Sequence, residues 1–148
     1  MQGAGHMKKN HTVLLAIILL CIATAAILAG CTSERPDPET GVNSWTYAVN
    51  NHDYDRVYDL APLLIRQQVS RPAFISAQSD NPLLSPGNII QGYTVVNKTI
   101  SGNDAAIVAQ LVLHVPAFGN ESARDIPLYI KFLEVFDNGQ WNVWTTQP

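Results

Sequence analysis

The stretch FLEVFDNGQWNVW, residues 132–144, decides the fold because it predicts a β-hairpin with a defined register. Apolar and polar residues alternate on both sides of Asn138-Gly139, and Asn-Gly is the dipeptide that two-residue hairpin turns favour. Such a turn pairs Phe136 with Trp141 across the two strands. Glu134 then lies on the same face of the sheet as both aromatic residues.

The same alternation of apolar and polar residues, a period of two, continues upstream to about residue 89. The upstream segments are rich in β-branched and aromatic residues, and Gly102-Asn103 supplies a second tight turn between two of them. A longer connection is expected near residues 118–125. The sequence therefore predicts an antiparallel meander of four strands: GYTVVNKTI (92–100), AAIVAQLVLHV (105–115), IPLYIKFLEVF (126–136) and QWNVWTT (140–146).

The segment from Val42 to about Gln78 has a helical pattern instead. Apolar residues recur there at intervals of three and four, as in Val42, Trp45 and Val49. Asp53 is expected to cap a second short helix, and Pro62 and the Ser70-Arg71-Pro72 sequence to begin two more. Residues 80–88 predict a loop. The fold class is therefore α+β, with N-terminal helices packed on one face of a mainly antiparallel four-stranded sheet.

The first thirty residues have the order of an export signal. Lys8 and Lys9 precede a stretch without charges from Thr12 to Gly30, which is followed by the sequence LAGC at residues 28–31. We interpret Met7 as the natural start and leave residues 1–6 out of the fold. LAGC resembles the lipobox of prokaryotic lipoproteins, in which the bond before the cysteine is cut and the thiol carries a diacylglyceryl group.

This resemblance implies a signal peptide at residues 1–30 and a lipidated Cys31 that begins a tether, residues 31–41. A single domain would then follow at residues 42–148. The mature protein is expected to be anchored in the cell membrane by lipid and to face the extracytoplasmic side. The alternative is an uncleaved anchor helix in which Cys31 is incidental.

Composition excludes several classes of function. All 12 acidic residues follow Cys31, whereas 2 of the 9 basic residues precede it, so the mature chain is acidic and no nucleic-acid partner is expected. Cys21 lies in the segment to be removed, which leaves no free thiol in the mature chain. No metal-ligand cluster, Gly-rich phosphate loop or nucleophile elbow is present, so we expect no metal and no cofactor. Sequence motifs for N-glycosylation begin at Asn97 and Asn120.

Three segments together resemble the nuclear transport factor 2-like superfamily: VNNHDYDRVYDL (49–60), GYTVVNKTISGNDAAIVAQLVL (92–113) and FDNGQWNVW (136–144). Within it, they are most similar to small lipoprotein domains of unknown function. The resemblance implies a curved sheet wrapped around helices, which forms a cone with an open mouth. Members include isomerases, dehydratases and many proteins without chemistry, so the resemblance supports the fold more than an activity.

Catalytic members of that superfamily use acidic, His or Tyr side chains inside the cone. Glu134 and His114 are the candidates here: a carboxyl buried among apolar neighbours would have a raised pKa, and His114 could serve as a general base. The alternatives are a Glu134 near the rim and a His114 at a strand end, bonded to backbone or water. His52 and Asp53 are expected to begin a helix rather than to catalyse.

We expect a non-catalytic, membrane-anchored domain that binds a small apolar ligand or a protein partner, including a second copy of itself. The alternative is a small cofactor-independent acid–base enzyme of the isomerase or dehydratase type, which an open cavity with Glu134 and His114 converging on it would favour. The ligand-pocket candidates are Trp45, Phe132, Glu134 and Trp141. The interface candidates on the opposite sheet face are Tyr129, Leu133, Val135 and Trp144.

Overall fold

Helices precede strands along the chain, as predicted by the change in the spacing of apolar residues from three or four to two. The computed structural model describes residues 35–81 and 84–146, so the apolar leader and Cys31 lie outside the described residues. The helices are α1 (Glu39–Asn50), α2 (Tyr54–Leu60), α3 (Leu63–Gln68) and α4 (Arg71–Ser79). The strands are β1 (Ile89–Ser101), β2 (Asp104–Val115), β3 (Arg124–Asp137) and β4 (Gln140–Thr146).

The strands form one antiparallel sheet in the order β1-β2-β3-β4, which confirms the α+β class and the four-stranded meander. Two of the three connections are two-residue turns. Asn138 has a φ of 52° and Gly139 a φ of 81°, the pair of positive values that a type I′ turn requires. Gly102 has a φ of 57° at the first central position of the other turn, where glycine is favoured.

The predicted register of the last hairpin is confirmed. Phe136 pairs with Trp141, and Glu134 pairs with Val143. Trp141 and Val143 are buried on the face that packs against the helices, which we call the inner face. The other buried inner-face residues of the sheet include Ile107, Ala109, Leu111, Leu113 and Phe132.

Local sequence explains where each helix begins. The carboxylate of Asp53 accepts a hydrogen bond of 2.9 Å from the backbone N–H of Arg56, so it caps α2 as predicted. Pro62 precedes α3, and Ser70 precedes α4 with a proline in its first turn. On α1, residues three or four apart are buried against β4 and β1, among them Val42, Trp45 and Val49.

The folded domain begins earlier than residue 42, the boundary expected from sequence. The indole N–H of Trp141 donates to the carbonyl of Pro36 at 2.7 Å. Lys98 on β1 pairs with Asp37 at 3.0 Å and with Glu39 at 2.7 Å. The compact unit therefore starts at Pro36, and residues 36–41 belong to the domain rather than to a solvated tether.

Polar residues of the stretch 50–58 bind backbone of the loops around the helices. The side-chain amide of Asn50 donates to the carbonyl of Ile90 at 2.9 Å and accepts from its N–H at 2.8 Å, in the manner of a neighbouring strand. The Tyr54 hydroxyl donates to the carbonyl of Leu84 at 3.1 Å. These bonds attach the start of β1 to α1 and the loop before it to α2, beside the cavity described next.

Candidate functional site

A partly enclosed cavity of about 140 Å³ lies between the inner face of the sheet and helices α1 and α4. Its polar lining consists of Gln78, Asn81 and Thr145, and Trp45 contributes an aromatic wall. None of the residues that line it in the described part of the chain is titratable. The remaining lining is aliphatic and comes from the loop between α4 and β1 and from strands β1, β2 and β3: Leu84, Ile90, Leu111, Leu113, Leu128 and Ile130.

The volume of this cavity limits its contents to a small molecule. Pockets for drug-sized ligands measure roughly 300–1,000 Å³. An engineered apolar cavity of about 150 Å³, close to the present one, stays dry and binds benzene. The cavity therefore suits a single ring or a short chain that makes mainly apolar contacts.

Only Trp45 of the four predicted pocket residues lines this cavity. Phe132 is fully buried and does not line the cavity, and its ring makes an edge-to-face contact with Trp45 at a centroid distance of 5.3 Å. Trp141 lies farther along the sheet, with its ring 5.2 Å from that of Phe136. Aromatic packing thus fills one end of the inner face, and the cavity occupies the other.

Glu134 also lies in the filled part of the core. Its side chain is 1% exposed, and neither carboxyl oxygen has a hydrogen-bond partner among the described residues. One oxygen is 2.8 Å from the point where a side chain on Gly41 would begin, so α1 approaches the carboxyl too closely for any residue larger than glycine there. Burial, and to a smaller extent the charge of Asp37, raises the pKa of Glu134 to about 8.

His114 faces away from this core. Its Nδ1 is 2.7 Å from a carboxylate oxygen of Asp125, a pair that the sequence did not predict. Asp125 is opposite His114 in the register, whereas Glu134 is opposite Ala105. Ala105 and His114 are nine residues apart along β2, which corresponds to about 30 Å. Glu134 and His114 therefore do not converge, and neither lines the cavity.

The sheet face opposite the helices, which we call the outer face, carries three of the four interface candidates. Tyr129 is 53% exposed, Leu133 38% and Val135 37%. Trp144 differs from the expectation: it pairs with Leu133 in the register, but it is half-buried and its ring lies 6.2 Å from that of Phe74 on α4. The exposed patch therefore consists of Tyr129, Leu133 and Val135.

Sequence reasoning missed Gln78, Thr145 and the aliphatic lining of the cavity. The alternation in β2 does place Leu111 and Leu113 on the inner face. Whether such residues enclose space or fill it depends on how α4 packs, which no local pattern encodes. Asp53 and His52 lie outside the site: the first caps α2, and the second is 3.2 Å from the Tyr54 hydroxyl.

The described residues contain no cluster of side chains that could hold a metal ion. Within the same ranges, no helix combines the length and the apolar composition that a membrane span needs.

Comparison with protein-family models finds no match, and comparison with functionally described proteins finds none either. Among solved structures, the chain is similar to an NTF-2 like protein of unknown function from Burkholderia xenovorans LB400. The two share 16% sequence identity with a TM-score of 0.39, over 75% of this chain and 84% of the other. A likeness at this level carries no argument about the activity of the chain.

The buried carboxyl predicts an unusual dependence of stability on pH. The folded state holds the Glu134 proton up to about pH 8, whereas an unfolded chain releases it near the ordinary glutamate pKa of 4.5. Between these values the folded state binds more protons, so the free energy of unfolding falls as pH rises, by roughly 1 kcal/mol per pH unit from this group. Asp37, whose pKa is lowered by the Glu39 N–H and by Lys98, acts only at more acidic pH.

Urea denaturation between pH 5 and pH 9 measures this effect. Glu134→Gln should flatten the decline and should be more stable than the wild type at pH 9. Glu121→Gln, which changes an exposed carboxyl in the connection between β2 and β3, is the control and should leave the profile unchanged. An identical decline in Glu134→Gln would show that another group is responsible.

Proposed function

We propose that the mature chain is a membrane-anchored, extracytoplasmic lipoprotein domain that binds a small, mainly apolar molecule without transforming it. The observation that carries this proposal is the cavity between the sheet and α1 and α4, whose aliphatic and aromatic lining suits apolar contacts. The described lining offers no titratable acid or base to a bound molecule, and no base that could activate the Thr145 hydroxyl, which disfavours the acid–base enzyme. Glu134, whose pKa is strongly raised by burial, does not line the cavity.

We also propose that the domain has the nuclear transport factor 2-like cone architecture. The motif resemblance supports this assignment, as does the order of elements, with helices first and a four-stranded antiparallel meander after them. In a cone of this kind, the mouth would coincide with the cavity and the narrow end with the packed aromatic residues.

Anchoring is proposed from the leader sequence alone. Lys8-Lys9, the uncharged stretch after it and LAGC occur in the order that a lipoprotein signal requires. Since the folded unit starts at Pro36, only residues 32–35 would remain as a tether after lipidation of Cys31. Two acyl chains on one cysteine are sufficient for stable anchoring.

Binding in the cavity can be tested on a soluble fragment that starts at Thr32 and retains the whole hydrophobic core. Toluene and indole should bind to it, as measured by ligand-observed NMR and by a rise in the melting temperature. Leu113→Phe should abolish binding because the larger ring fills the cavity. Val112→Phe adds the same ring on the outer face and should bind like the wild type. Absence of binding by both compounds, or unchanged binding to Leu113→Phe, would contradict the proposal.

Lipidation can be tested in the full-length chain expressed in a bacterial host. Cys31→Ser should abolish acylation, because no other cysteine follows the signal segment, and the mature domain should leave the membrane fraction after a carbonate wash. Cys21→Ser changes the other cysteine of the chain and should remain acylated. If the Cys31→Ser protein stays in the washed membranes, an uncleaved anchor helix explains the attachment instead.

The outer face supports a second proposal, that two copies of the domain pair through Tyr129, Leu133 and Val135. These side chains are exposed beside one another on β3, and such apolar patches usually mark an interface. Lys131 is the charged residue between them on β3, and Asp104 is opposite Val135 at one end of the patch.

Sedimentation velocity of the fragment from Thr32 tests this association. The wild type should sediment as a dimer, and Leu133→Glu should shift it to a monomer, because the new charges would be buried opposite each other. Tyr47→Glu places the same charge at an exposed aromatic residue of α1 and should leave the dimer intact. A monomeric wild type at all accessible concentrations would rule out pairing of two copies.

A further inference from the structure

A second, smaller cavity adjoins the one already described. Its volume is about 90 Å³, and it extends between α4 and β4 toward Phe74 and Trp144. Trp45, Gln78 and Thr145 line both cavities. These three residues, which we call the junction residues, therefore lie where the two spaces meet.

Each junction residue brings a polar group that the fold does not use. The indole N–H of Trp45, the amide of Gln78 and the hydroxyl of Thr145 have no hydrogen-bond partner among residues 35–81 and 84–146. Asn81 lines the larger cavity too, but it has an interaction within the protein. All three junction groups can donate a hydrogen bond, and the indole can only donate.

No charged side chain is among the described residues that line the two cavities. Neither contains an aspartate, glutamate, histidine, lysine or arginine side chain. A charged molecule would lose its hydration there without meeting an opposite charge, and that loss is costly. A neutral molecule with one accepting oxygen would instead satisfy donors that are otherwise unpaired, which is favourable in a partly enclosed site.

We propose that the cavity binds an uncharged, mainly apolar molecule that carries one carbonyl or hydroxyl oxygen. The oxygen accepts hydrogen bonds from the junction residues, and the ring or chain of the molecule lies against the aliphatic lining of the larger cavity. The inference rests on the proposed function, because it assigns a ligand class to the same cavity. It goes further in naming the three side chains that select this class.

Three probes of similar size separate the possibilities: acetophenone, which has a neutral carbonyl, ethylbenzene, which has no acceptor, and benzoate, which is charged. Dissociation constants for the fragment from Thr32 can be measured at pH 7 by ligand-observed NMR. Acetophenone should bind more tightly than ethylbenzene, and benzoate should not bind detectably. Thr145→Val removes the hydroxyl at nearly constant volume and should weaken acetophenone binding by about 3- to 10-fold, with ethylbenzene unchanged.

Thr146→Val is the matched control, because the neighbouring threonine pairs with Lys131 on the outer face and lines neither cavity. If Thr145→Val fails to fold, Gln78→Leu tests the junction from α4 with the same expected pattern. Equal affinities for acetophenone and ethylbenzene, unaffected by the variants, would overturn the ligand class and leave the proposed function standing. If benzoate bound as tightly as acetophenone, the proposal that the ligand is uncharged would be wrong. No binding of any probe would overturn both proposals.

Discussion

The two-residue turn at Asn138-Gly139 is the constraint on which the rest of the structure depends. Side chains alternate between the faces of a strand, so the turn decides which residues of β3 and β4 meet the helices. Phe132, Trp141 and Val143 enter the core in this register. A slip by one residue would expose them to solvent and bury their neighbours instead. The positive φ values at the turn make the observed register the unstrained one for this sequence.

The same alternation forces Glu134 into the core. Its position lies two residues from Phe132 and two from Phe136 on the inner face, so the chain cannot bury these rings without burying the carboxyl. A carboxylate there would lose its hydration without gaining a hydrogen-bond partner among the described residues, so burial raises the pKa of Glu134 and favours the protonated form. Gly41 allows α1 to pack directly against the carboxyl, which further excludes water. Glu134 is therefore a consequence of the register and a cost to stability rather than part of the cavity.

Features that depend on neighbouring residues could be predicted from the sequence, and features that depend on distant ones could not. The hairpin register and the Asp53 cap each follow from a few adjacent residues. The side chain of Trp144 was misplaced because its position depends on Phe74, which lies about seventy residues earlier on α4. The His114–Asp125 pair depends on the register across a long connection, which has no turn signal to set it. The start of the domain at Pro36 was missed for a similar reason, since the Trp141 indole that holds it comes from the far end of the chain.

The cavity itself arises from how the aromatic residues are distributed along the inner face. Phe132 and Trp45 pack edge to face in the core, whereas farther along β2 and β3 the inner residues are leucine and isoleucine, which line the cavity. The side chains of Asn50 and Tyr54 then hold the start of β1 and the loop before it at the edge of this space through hydrogen bonds to backbone carbonyls. These two polar side chains therefore perform a structural task. The proposed selectivity would rest instead on the cavity, where Trp45, Gln78 and Thr145 have hydrogen-bonding groups without a partner among the described residues.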